Sequence, residues 1–250
     1  SDLILEGIKE AYSTAGSILL ISRHEGDVIN GRAACLDAQD EGMDVRPFLM
    51  YDDISSAPKG QEEDRRGAAG TIFIYKILGA ASEQGMAIDD LILLGKRVRS
   101  STRTLGVAIN SGISPITNEA MFTLPEDEVF IGMGVHGEPG VARKKLGTVN
   151  ELVSFMMDKI FEDKKINSGE TVIVLINGMG GSTLMELYSV YNETYNYLKA
   201  KQISNVSPMI GSFSTTQETS GFSISLLIPD EQVLNLWRAS HEAPNFPKII

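Results

Sequence analysis

The chain of 250 residues carries one cysteine, Cys35, which excludes an intrachain disulfide and points to a reducing compartment. Basic residues are outnumbered: 22 Lys and Arg stand against 33 Asp and Glu, a formal net charge of −11. That balance excludes the basic stripe that displaces counterions from nucleic-acid phosphate, so no direct nucleic-acid contact is expected. It leaves room for an acidic protein that docks onto a DNA-binding partner. No apolar run has the length of a membrane span and no signal-peptide pattern is present, so the chain reads as soluble and cytoplasmic, with no membrane partner. There are only three histidines, and no second clustered histidine or cysteine ligand accompanies His136, so no metal is expected, nor any cofactor.

What is present is an ordinary core-forming composition, 42% hydrophobic and 22% charged, enough for one large domain or two modest ones. Neither a fixed-period repeat nor a low-complexity tract occurs. Ile4, Ile8, Ala11 and Tyr12 fall on one helical face, and Gly16 closes that helix. The apolar run at 17–21 reads as a buried strand, 28–41 as a helix holding Cys35 as a small buried hydrophobe, and 44–51 as a second strand. Residues 52–70, rich in charge, Gly and Pro, read as a long loop with work to do. Helices are expected at 71–84, 88–101, 149–161, 184–201 and 231–239, and strands at 105–109, 129–135, 171–177, 206–213 and 222–228. The alternation implies α/β layers with a largely parallel sheet.

Five segments have the composition of a working site. Residues 132–140, GMGVHGEPG, place four glycines around His136 at the end of an apolar strand, with the acid Glu138 two residues on. Strand ends of α/β sheets bind ligands, and neutral imidazole can serve as nucleophile toward a carbonyl, as base or as ligand. The plainer alternative is a turn whose histidine only satisfies backbone groups. Residues 24–30, HEGDVIN, also follow a strand; Asp27 there is first of all an N-cap, and His24 a solvated loop residue. NGMGGST at 177–183 looks like a phosphate-cradling turn but lacks the P-loop lysine and the dinucleotide fingerprint, so a tight strand-to-helix connection is favoured. RRGAAG at 65–70 is either an arginine clamp for phosphate or a partner's carboxylate, or a solvated loop end. GSFSTTQETSG at 211–221 is a polar link between strands.

In this order, strand–GD–helix, RRGAAGT, GMGVHGEPG, NGMGGSTLMELY and GFSISLL, the motifs resemble the K subunit of the dihydroxyacetone kinases across essentially the whole chain. GMGVHGEPG is the specific motif and the others support it. The resemblance implies two α/β domains, here drawn at 1–140 and 141–250, with the family's lead segment absent from this chain. It implies that His136 adds to the ketone carbonyl of dihydroxyacetone as a hemiaminal. It further implies that Asp27, next to Gly26 in the substrate pocket, binds a ligand hydroxyl and serves as base in phosphoryl transfer, and that the protein is a homodimer. An adduct of this kind selects a carbonyl and rejects a polyol that lacks one.

Two departures bear on activity. Kinase members read KNYTGD where this chain has SRHEGD, with Phe at the position of Gly31, and TQET at 216–219 replaces a further kinase motif. Glu25 adds a carboxylate two residues from Asp27, which repels a polyphosphate donor. The preferred reading is therefore a ligand-sensing coactivator that binds dihydroxyacetone and acts on a transcriptional regulator. The alternative is the substrate-holding subunit of a phosphotransferase-dependent dihydroxyacetone kinase, partnered by a nucleotide-binding L subunit.

Overall fold

The computed structural model describes residues 1–137, 140–244 and 246. The chain opens with α1 (Asp2–Ala11), β1 (Ser17–Ser22), α2 (Glu25–Asp40) and β2 (Val45–Met50). The strands β1 and β2 pair in parallel, Ser17 to Val45 through Ser22 to Met50, so α2 is the crossover of a β-α-β unit. Ile8, Ala34, Cys35, Ala38 and Val45 form its small core, and the Cys35 thiol, pushed up by burial, packs there as a hydrophobe. The loop at 51–70 holds only a short 3-10 turn, Glu62–Asp64, and leads into α3 (Thr71–Glu83) and α4 (Ile88–Ser101).

The remaining strands build one seven-stranded sheet: β3 (Thr102–Asn110), β4 (Glu128–Ile131), β5 (Ala142–Lys145), β6 (Thr171–Gly178), β7 (Ser204–Asn205), β8 (Met209–Gly211) and β9 (Ser220–Leu227). Their order is β5-β4-β3-β9-β6-β7, with β8 also on β6. Helices α5 (Val149–Asp163), α6 (Leu184–Ala200) and α7 (Glu231–Arg238) complete the chain. The strict two-residue period of β6 decides the layering. Val172, Val174 and Ile176 face α5 and α6, while Ile173 and Leu175 face α3, α4 and α7, where Phe73 meets Trp237 edge to face. The sheet is thus covered on both sides, which is why its central strands read as unbroken apolar runs.

Mixed α/β layering is as expected, but the largely parallel sheet is not. Pairs β3–β4, β3–β9, β4–β5 and β6–β9 are antiparallel, and only β6–β7 and β6–β8 join β1–β2 in being parallel. The reason is β9, which inserts between β3 and β6 and runs against both. Alternation of strands and helices along a sequence reports layers, not which strands become neighbours. The division drawn at residue 140 likewise runs through this sheet, since β3 and β4 precede it and β5 to β9 follow it. The expected strand at 206–213 is only β8; β7 lies before it, with Ser207 at φ 48° between the two. Strand β5, ARKK, was not foreseen: it is an edge strand with no apolar alternation, and its charges suit an edge that must not recruit further strands.

Candidate functional site

The end of β1 delivers the first half of the site. Helix α2 starts at Glu25, three residues earlier than expected from the sequence, and His24 is its N-cap residue in extended backbone. Asp27 is therefore not the cap. It sits in the first helical turn with its side chain half exposed, where its negative charge suits the positive end of the helix. His24, expected in a solvated loop, is buried instead. Its Nδ1 lies 3.2 Å from the Ser22 hydroxyl and 3.7 Å from an Asp27 carboxylate oxygen. Gly26 contributes backbone: its carbonyl accepts a 2.9 Å hydrogen bond from the Asn30 amide, and its own Cα faces open space.

The end of β4 delivers the second half. His136 stands exposed on a turn in which the Gly137 N–H donates to the Gly134 carbonyl at 3.1 Å. Gly137 has φ +82°, a backbone that a Cβ would strain. The His136 ring reaches the His24 ring with centroids 4.2 Å apart. Ligand atoms of His24, Asp27 and His136 all lie within 4.8 Å of one another. Residues 24 and 136 are far apart in the chain and adjacent in the fold. Glu138, the acid beside this histidine in the sequence, lies outside the described residues.

Two loops brace the His136 turn. The RRGAAG loop does so with charges that are matched inside the chain, rather than offered to a phosphate or a partner. Arg66 donates to Asp53 at 2.8 Å and to the carbonyl of Gly132 at 3.1 Å, the residue that opens the glycine-rich segment. The Ser55 hydroxyl, hydrogen-bonded to Asp53 at 2.5 Å, sits against Gly132, where any Cβ would collide with it. Arg65 is almost fully buried; it donates to Asp163 at the end of α5 at 3.0 Å and to the Ala57 carbonyl at 2.9 Å. Arg103 of β3 shares Asp163, and the two guanidiniums hold its carboxyl below the usual range against the opposing effect of burial. Asp52 accepts from the N–H groups of Ala68 (2.7 Å) and Gly70 (2.8 Å). Burial raises its pKa to about 6 all the same.

The second brace is the TQET stretch between β8 and β9. The Thr216 hydroxyl donates to the carbonyl of Val135, next to His136, at 2.8 Å, and the Thr219 hydroxyl accepts from the Gly112 N–H at 3.2 Å. NGMGGST meets it from the other side. Gly180 has φ +123°, and a Cβ there would lie 1.8 Å from the Gln217 carbonyl oxygen. Thr183 closes that segment as the N-cap of α6 in a reciprocal capping box with Glu186. The segment is accordingly a tight strand-to-helix connection, the reading favoured from sequence.

Of the predicted site residues, the fold brings His136 and Asp27 together, with Gly26 on the rim, and adds His24. Sequence reasoning undervalued His24, although the H-x-x-D spacing at a helix start places the two side chains on one side of the first turn.

The arrangement, an exposed imidazole on a glycine-rich strand-end turn facing a carboxylate at a helix start, is that of a small-molecule binding site in a mixed α/β protein. The profile of the Dak1 domain matches residues 1–245. Among curated proteins, the dihydroxyacetone-binding subunit DhaK of a PTS-dependent dihydroxyacetone kinase of Listeria innocua is 35% identical over 236 residues, covering 94% of this chain and 72% of its own. The D-erythrulose kinase of Mycolicibacterium smegmatis is 32% identical over 96% of this chain, which spans 41% of that enzyme. Among solved structures, the dihydroxyacetone kinase operon co-activator Dha-DhaQ superposes with a TM-score of 0.89 at 32% identity, over 96% of this chain and 74% of its own. The dihydroxyacetone kinase of C. freundii gives 0.87 at 27% identity, over 98% and 44%. The chain belongs to the dihydroxyacetone kinase K-subunit family. Among the described residues no helix is long and apolar enough to cross a membrane.

Proposed function

We propose that this chain binds dihydroxyacetone, or a ketose of similar size, covalently through His136, and that it acts as a ligand-sensing coactivator on a transcriptional regulator. The observation that carries the first half is the exposure of the His136 ring on a braced turn with the Asp27 carboxylate beside it. A ring nitrogen lone pair forms the N–C bond to the carbonyl carbon, and the carbonyl π electrons pass to oxygen. The proton lost from the other ring nitrogen ends on that oxygen, so nothing leaves. Asp27 accepts a hydrogen bond from a ligand hydroxyl. The protein carries the whole mass of the ketone afterwards.

The second half rests on charge at the acceptor face. Glu25 and Asp27 are both exposed in the first turn of α2. A transferring phosphoryl group spreads negative charge over three oxygens, and two carboxylates at the acceptor oppose its approach. The similarity to an operon co-activator supports the same role. The alternative, the substrate-holding subunit of a phosphotransferase-dependent kinase with a separate L subunit, is favoured by the 35% identity to the Listeria subunit and by Asp27 standing where a base is needed. On either reading the protein is taken to be a homodimer, and its single buried thiol fits the reducing cytoplasm.

Intact mass under gentle ionisation tests the adduct: it should rise by one ketone mass on wild type and not on His136→Ala. An unchanged wild-type mass, or an adduct that survives the substitution, refutes it. Mixing with an active L subunit and its phosphoryl donor tests the role. A coactivator leaves the ketone unphosphorylated, and sustained turnover assigns the chain to the kinases.

A further inference from the structure

We propose that His24, Asp27 and His136 form a binding site for one divalent transition-metal ion of the zinc class, and that metal and ketone exclude one another there. Three observations carry it. The set is two imidazoles and one carboxylate, which suits Zn2+, Co2+ or Ni2+ and does not suit Mg2+ or Ca2+, whose sites are built from oxygen. Their ligand atoms already lie within 4.8 Å of one another. Donors around a common Zn2+ stand about 3.3–3.6 Å apart, given metal–ligand bonds of about 2.0–2.2 Å. One donor pair, His24 Nδ1 and an Asp27 carboxylate oxygen, stands 3.7 Å apart.

The elements that carry the ligands are built for this closure. His24 is fixed by burial at the end of β1, where the Ser22 hydroxyl lies 3.2 Å from its Nδ1 and restrains the ring. Asp27 is held in the first turn of α2, three residues on. His136 is the adjustable member, exposed on a turn between Gly134 and Gly137, and a shift of about 1 Å brings it to bonding distance. The positive end of α2 opposes a cation, but Glu25 and Asp27 both stand in its first turn and outweigh it. Three protein ligands leave a fourth position open to water, the pattern of an open rather than a purely structural site.

The exclusion rests on the proposed ketone adduct, because one His136 nitrogen cannot both coordinate a metal and attack a carbonyl; the metal site itself does not. The consequence is a ketone sensor silenced by a transition metal.

Titration of the full chain with zinc chloride, followed by calorimetry and by metal analysis after dialysis, tests the site. One equivalent is expected to bind wild type. His24→Tyr and Asp27→Asn should each weaken it at least tenfold, and excess Mg2+ should not compete. Co2+ should give a visible absorption band that His24→Tyr abolishes, while circular dichroism of the variant shows a retained fold. No stoichiometric uptake, or uptake equal in wild type and both variants, overturns the site. Zinc-saturated wild type should not gain the ketone mass and metal-free wild type should; an adduct formed equally in both overturns the exclusion. A protein that binds zinc yet takes up no ketone in either state removes the sensor reading and leaves the metal site in place.

Discussion

Asp52 sits at the junction between the long loop and the sheet, and its titration is measurable. Its carboxylate accepts from Ala68 and Gly70 and so fixes the RRGAAG loop that braces the His136 turn. Burial raises its pKa from 3.8 to about 6 in the fold. Between these values the folded chain holds a proton that the unfolded chain has released, so this group makes the protein more stable at acid pH. Its contribution falls as pH rises and is fully lost above about 6. At about 1.4 kcal/mol per pH unit, the change is about 3 kcal/mol. Asp52→Asn resembles the protonated form at every pH. The stability of wild type relative to this variant should therefore fall by about 3 kcal/mol from pH 4 to pH 7.5. For a chain of this length that is about 6–12 °C in relative melting temperature. Urea unfolding followed by circular dichroism at both pH values measures it, and the subtraction cancels carboxylates such as Asp163 that act in the opposite sense. A difference that does not change with pH would show that Asp52 titrates normally, and the burial argument would be wrong.

Asp163→Ala leaves Arg65 and Arg103 without their shared carboxylate in a buried setting, and should cost about 3–5 kcal/mol in urea unfolding. Thr216→Val removes the hydrogen bond to the Val135 carbonyl; it should cost about 1 kcal/mol and lower the fraction of chain carrying the ketone mass at subsaturating ligand. Gly180→Ala meets the Gln217 carbonyl oxygen at a positive φ, and should destabilise by more than about 1 kcal/mol in the same unfolding assay. Asp27→Asn keeps the geometry of the helix start; it should weaken ketone binding in a calorimetric titration while leaving the urea midpoint nearly unchanged.

The elements that lie in the core were legible because burial imposes a period. The apolar runs of β6 and β9 and the helical faces of α5 and α6 were readable for that reason, and their observed bounds differ by a few residues at most. Pairing was not legible. Leu105 and Ile224 face each other across β3 and β9, more than a hundred residues apart in the chain, and neither residue carries a mark of its partner. Strand β5 was invisible because an exposed edge needs no apolar period. The arginines of RRGAAG could be read as a clamp, but which carboxylates they hold depends on α5 packing beside the loop, a tertiary fact.

The site divides along the same line. His136 was legible because glycines on both sides of a lone histidine at a strand end have few structural uses. Asp27 was half legible: the fold does bring it beside His136, but it is not the cap, because the helix begins at Glu25 and gives the cap position to His24. His24 was misjudged for a physical reason. A histidine followed by two acidic residues and a glycine reads as loop, yet this one turns inward beneath the His136 turn, into space bounded by a strand end 112 residues further on. Local polarity predicts exposure only while nothing from elsewhere in the chain covers the residue. Here the covering element is the His136 turn itself, so the buried histidine and the exposed one lie together. Any substitution at His24 is therefore expected to be felt at His136.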